Sequence, residues 1–149
     1  MAVMIELQND DGISGLPAAD RFQVWVEAAL QKAYDRLEQT IRIVDRDECR
    51  TLNRRYRGKD EPTNVLAFAY DDAELGYDCL GDLVLCAPVV ANEATQQGKT
   101  LDAHWAHLVV HGMLHLQGFN HQRDDEREAM ERLEIKILAT LGYTNPYND

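Results

Sequence analysis

The five histidines of this chain, His104, His107, His111, His115 and His121, all fall within residues 104–121 and are the side chains best suited to chemistry. Four of them recur at helical spacing and form two overlapping HxxxH pairs, 107/111 and 111/115. Residues four apart on a helix lie one turn apart on the same face, so either pair sets two imidazoles close enough to share a metal ion. One ion cannot use both pairs. Zinc takes an imidazole nitrogen at about 2.0–2.1 Å, whereas helix rise alone separates His107 from His115 by about 12 Å. Gly118 favours the second pair, because a glycine can take the left-handed conformation that ends a helix and let His121 fold back toward His115. The expected site is one zinc ion per chain, held by His111, His115 and His121. Three imidazoles leave the fourth tetrahedral position to water, as a catalytic zinc requires, whereas structural zinc is closed by four protein ligands, usually including cysteine. His104 and His107 are expected in the core or beside the ligands, orienting them or the substrate.

A zinc ion with an open position lowers the pKa of bound water from 15.7 toward about 7, which makes hydrolysis the natural reaction class. In HExxH peptidases the glutamate after the first histidine is the general base. Here that position is Gly112, which removes the peptidase's proton carrier and is expected to leave the helix surface bare beside the metal. A phosphodiester needs charge on its phosphoryl oxygens stabilised, and an arginine fork supplies that with two parallel hydrogen bonds. The net charge of −11 counts against a polyanionic partner, but a cleft presents its local field, and the sign changes along the chain. Arg50, Arg54, Arg55, Arg57 and Lys59 follow one another without an acid, while acids dominate from Asp124 to Glu134. Arg57 is the candidate catalytic phosphate contact, with Arg54 and Lys59 as further substrate contacts. Arg50, Arg54 and Arg57 share a helix face away from Cys49, Leu52 and Tyr56; for Arg54 and Arg55 a merely solvated face is the plain alternative. Asp82 either orients a ligand histidine or pairs with a nearby arginine.

These groups need a scaffold. At 149 residues the chain is long enough for one domain with a sizeable core and too short for two. Its 45% hydrophobic and 28% charged residues exclude a disordered chain. The apolar stretch Leu83 to Asn92 carries Pro88 and is too short to cross a bilayer, and the first ten residues lack the pattern of a secretory signal. A cytoplasmic protein without membrane contact is expected. Cys49, Cys79 and Cys86 are odd in number and without CxxC spacing, so they read as reduced thiols, Cys86 as a buried small hydrophobe.

Alternation of Val3, Ile5 and Leu7 predicts a strand over Met1 to Gln8. Asp20 and Gln23 resemble a capping box before a helix whose apolar positions run from Phe22 through Trp25, Val26 and Ala29 to Ala33 and Leu37. Strand Thr40 to Asp45 follows, then a helix capped by Asp47 and ended by Gly58, and two strands, Val65 to Tyr70 and Leu80 to Cys86, apolar enough to be central. Helices are expected from Pro88 to Gln97, from Leu101 to Gly118, and from Asp124 to Leu141, where Met130, Leu133, Ile137, Leu138 and Leu141 share a face. The order predicts a single α+β domain with a four-stranded, mostly mixed sheet and about five helices.

The stretch HGMLHLQGFNH resembles the metal-site signature of the YbeY family, bacterial metal-dependent endoribonucleases of rRNA maturation. LNRRYRGKDEPTNVLAF from Leu52, LGDLVLC from Leu80 and LGYTNPY from Leu141 are similar to further family segments in the same order. The resemblance implies single-stranded RNA, in particular rRNA, as substrate and the ribosomal small subunit as partner, with roles in maturing the 16S 3′ end and in ribosome quality control. It also implies a functional role for the arginine of YRGKD, Arg57. The family pattern has Asp before the third histidine where this chain has Asn120, an amide that hydrogen-bonds but cannot act as a base. Two other classes fit the histidines alone: a metallopeptidase-like zinc hydrolase, and a non-catalytic ribosome assembly factor with a structural metal.

Overall fold

The apolar alternation of the strands and the long apolar run around the histidines must be buried against each other, and they are. The computed structural model describes residues 2–69, 79–120 and 122–147. Along the chain run β1 (Ala2–Gln8), α1 (Ala19–Ala29), β2 (Arg36–Val44), α2 (Arg46–Arg57), β3 (Val65–Ala69), β4 (Gly81–Cys86), α3 (Ala87–Gln97), α4 (Leu101–Leu116) and α5 (Asp124–Thr140). The sheet order is β1-β2-β4-β3, with β1, β2 and β4 parallel and β3 antiparallel to β4. This is the α+β domain with a four-stranded mixed sheet and five helices that the element order predicts.

The two faces of the sheet are unequal. Ile41, Ile43, Leu83 and Leu85 point into the main core beneath α1, α3, α4 and α5, while Val84 and Cys86 point to the other face, where α2 contributes Cys49 to a smaller cluster. Helix α4 lies at the centre and is buried nearly all round; apart from Asp102 in its first turn, its polar side chains are the histidines. A helix apolar on every side belongs inside a domain. Phe22 joins it to α1 through edge-on contacts with Trp25 and Trp105, at 5.4 and 5.7 Å between ring centroids; such pairs add about 0.5–1.5 kcal/mol each to the burial of the rings. The last turn of α4 is fixed by Gln117, whose side-chain amide donates to the Ala29 carbonyl (2.9 Å) and accepts from the Gln31 N–H (2.8 Å).

Two glycines allow close approach. Gly81 starts β4 at φ +148°, and a Cβ there would drive into the Phe68 carbonyl and the Leu116 side chain. Gly112, in α4, would set a Cβ 2.6 Å from Leu83 Cδ2. The sequence reading of Gly112 is corrected here: although it lines the groove described below, the absent side chain serves the packing of α4 onto β4, not a bare surface beside a metal.

Other expectations also change. The helical spacing that runs on to Leu37 is interrupted: α1 ends at Ala29 and Leu37 is a buried residue of β2. Asp20 makes no capping bond at the start of α1, and α2 is capped by Asp45, not Asp47, with Asp45 Oδ1 accepting from the Glu48 N–H at 2.9 Å. β3 is an edge strand, not a central one. Gly58 and Gly98 take the left-handed conformation at the ends of α2 and α3, as their positions predict. The three cysteines are free, with Cys49 and Cys86 buried. No helix among the described residues is long and apolar enough to cross a membrane. Met1 and Tyr70, expected as the first and last residues of strands, and His121, expected as a metal ligand, lie outside the described residues.

Candidate active site

Four histidines project from α4, and their surroundings separate them. His104 is 2% exposed and its Nε2 lies 2.9 Å from Glu93 Oε1. Burial pushes its pKa down, against the opposing pull of Glu93. It is a core histidine, as expected.

His107 and His111 share one acid. Glu134, on α5 and fully buried, places Oε1 2.9 Å from His107 Nε2, 3.3 Å from His111 Nδ1 and 2.9 Å from the Tyr147 hydroxyl that donates to it. Burial by itself would raise this carboxyl, but hydrogen bonds from His107 and His111 outweigh it and hold the group at about 2. An ionised carboxylate only accepts. His107 Nε2 and His111 Nδ1 are therefore the protonated nitrogens, and in a neutral His111 ring the lone pair is on Nε2. The tip of His107 is committed to Glu134 and to Tyr147, whose hydroxyl is 3.2 Å away and whose ring stands edge-on at 5.3 Å.

His111 and His115 face each other at 5.3 Å between centroids, nearly perpendicular. They open, with Gly112 between them, into a groove of about 600 Å³. The opposite wall is the end of α2, Tyr56 and Arg57, and the floor runs from Thr63 and Asn64 along β3 to Phe68. The structure thus brings Arg57, His111 and His115 together. Arg54 and Lys59 are exposed and do not line this groove. Arg50 is taken by Asp60, whose carboxylate accepts from its Nε and Nη2 at 2.8 and 3.0 Å.

Asp82 is on the far side of the sheet, lining a hollow with Arg42, Thr40 and Val84. Its neighbours Leu83 and Leu85 face α4, so strand alternation turns Asp82 away from the histidines. It cannot orient a ligand histidine; the sheet intervenes.

Among the described residues no three of His, Cys, Asp and Glu form a ready metal cluster, and the third expected ligand, His121, lies outside them. The groups that are described suit a metal. Two imidazoles meet on one groove wall, the inner nitrogen of one of them, His111 Nδ1, is held by a buried carboxylate in the manner usual for ligand histidines, and Asn120 Oδ1, beside His121 in the chain, is buried without a hydrogen-bond partner.

Sequence reasoning missed Glu134 and Tyr147. Glu134 had a signal: it sits in the middle of the apolar stripe of Met130, Ile137 and Leu138, where a charge needs a buried partner. Tyr147 had no periodicity to mark it, because it lies in an irregular tail; its one signal was its place at the end of the LGYTNPY segment.

In class, this is a small α+β protein whose histidine-bearing central helix shares a groove with an arginine. The fold is similar over 99% of both chains to the solution structure of TM1509 from Thermotoga maritima, with a TM-score of 0.52 and 21% identity. The family described as Endoribonuclease YbeY matches residues 5–142, nearly the whole length, and the chain belongs to it. It is an endoribonuclease, a hydrolase of RNA, of a family that acts in rRNA processing.

Proposed function

We propose that the chain is a zinc-dependent endoribonuclease specific for single-stranded RNA, acting in the cytoplasm on rRNA of the small ribosomal subunit, at the 16S 3′ end and in ribosome quality control. The observation that carries this reading is a single groove with Arg57 on one wall and His111 and His115 on the other. His111, His115 and His121 would hold one zinc ion, which when bound supplies a Lewis acid and an activated water at neutral pH. Arg57 grips the non-bridging oxygens of the scissile phosphate, and its fork fixes the phosphate's orientation as well as offsetting its charge. Glu134 holds the His111 ring so that Nε2 points outward, and Tyr147 and His107 hold Glu134. Arg54 and Lys59, outside the groove, act at most on the RNA strand as it leaves.

A second reading has one observation in its favour. The outer edge of β3 is unpaired among the described residues and floors the groove, and an extended peptide could add to such an edge. Against it stands Gly112 where a peptidase carries its acid.

The test separates metal from phosphate. His115→Ala is expected to lose zinc and RNA cleavage together, as measured by metal analysis and a gel assay. Arg57→Ala is expected to keep one zinc per chain and its melting temperature but to lose cleavage by about 100-fold or more, with Arg57→Lys restoring little, because the ammonium keeps the charge and loses the fork. Full cleavage by Arg57→Ala would remove this residue from the mechanism.

A further inference from the structure

The groove does not end at Arg57. Tyr56, beside it in the last turn of α2, is 58% exposed although large and aromatic. With Phe68 it lines both the histidine groove and the hollow of about 490 Å³ on the α2 face of the sheet, so its ring stands on the ridge where the two meet. Phe68 braces it at 5.2 Å between centroids with the rings inclined at 66°, and the Arg55 guanidinium lies 5.5 Å from the ring centre. Single exposed aromatic residues are common and call for no explanation. This one is braced by a second ring, has arginines as both chain neighbours, and marks the seam of two hollows.

The surrounding charge is available to a ligand. Arg54, Arg57 and Lys59 form no ion pair among the described residues, whereas Arg50 and Arg42 are neutralised by Asp60 and Glu48. Cations that track a backbone, interleaved with an aromatic face on which bases stack, are the means by which proteins bind single-stranded nucleic acid without reading its sequence. A base inside a duplex is already stacked on its neighbours and has no face to offer.

We infer that Tyr56 is a stacking platform for one unpaired base of the RNA, on the nucleotide next to the phosphate that Arg57 grips. The inference rests on the proposed reading of the groove and gives it a source of single-strand preference: the strand crosses the edge of β3 with a phosphate at Arg57 and a base on Tyr56, then continues toward Thr40 and Gln8 on the α2 face of the sheet. Phe68 is a positioning residue that keeps the platform upright.

Wild type, Tyr56→Phe and Tyr56→Ala are compared on single-stranded oligoribonucleotides carrying 2-aminopurine at successive positions, by fluorescence titration and by steady-state cleavage. Tyr56→Ala is expected to weaken binding and raise KM by about five- to 150-fold, the range one stacked base is worth. Its kcat should stay within about twofold, because the contact is made equally before and during reaction. One 2-aminopurine position should be quenched by wild type and by Tyr56→Phe but not by Tyr56→Ala. Wild-type affinity and quenching in Tyr56→Ala, or a loss in Tyr56→Phe equal to that in Tyr56→Ala, overturns the platform while zinc-dependent cleavage by the wild type stands. If the wild type neither binds nor cleaves single-stranded RNA, the reading of the groove falls and the platform with it.

Discussion

At the scale of single residues, one buried acid, Glu134, separates His107 from His111 by the ring nitrogen that each turns toward it. His107 and His111 have the same spacing to a neighbour as His111 and His115, and the sequence separates the pairs only through Gly118 and the return of His121. The structure adds a reason of its own, since His107 spends its outer nitrogen on Glu134 and Tyr147 while His111 offers Glu134 the inner one. Glu134→Gln tests this. The amide still fills the space but no longer fixes the ring by charge, so zinc affinity measured by chelator competition should fall by about 10–100-fold. His107→Ala should keep the ion. Equal affinity in Glu134→Gln and wild type would reduce Glu134 to a packing role. Nothing in the local sequence around Glu134 names its partners, because they come from a helix and a tail distant in the chain; only its place on an apolar stripe marks it.

At the scale of elements, the histidines are useful because α4 is clamped at both ends. Gln117 ties its last turn to α1, and its first turn carries Asp102, whose Oδ2 accepts from Arg21 Nη2 of α1 at 2.8 Å and from the Tyr143 hydroxyl, just beyond α5, at 2.6 Å. Burial alone would raise the Asp102 carboxyl, but the hydrogen bonds from Tyr143 and Arg21 hold it below the usual carboxylate range. A depressed native pKa contributes stability above the unfolded value, about 3.9, and that contribution is lost as pH falls through the native value. The stability advantage of wild type over Asp102→Asn in urea should accordingly be constant from about pH 5 to 8 and shrink below about pH 4. An advantage that persists unchanged into acid would show that the charge is not what clamps the helix. Most elements were legible from periodicity and caps. The exceptions have local causes. The run from Phe22 to Leu37 keeps helical spacing by coincidence across a turn, so Leu37 looks helical although its burial comes from β2. Asp82 and Gly112 were read without the sheet, whose alternation turns the first away from the site and whose close approach to α4 requires the second to be glycine.

At the scale of the whole molecule, the acidic chain keeps one basic margin, the end of α2, and folds it across the β3 edge from the histidines. The fold class and both walls of the groove could be read from the sequence, because the basic run and the histidine run are each local. Their meeting could not, since it depends on β3 pairing antiparallel to β4 at the sheet edge. The central claim is that this groove cleaves RNA with a metal ion. The most direct measurement is turnover of single-stranded RNA and of a casein-type peptide by the wild-type protein, from about pH 5 to 9, zinc-loaded, chelated and re-supplied with zinc. RNA cleavage is expected to disappear on chelation and return with zinc, with no peptide turnover at any pH. Peptide turnover without RNA cleavage, or RNA cleavage indifferent to complete removal of metal, would contradict the claim.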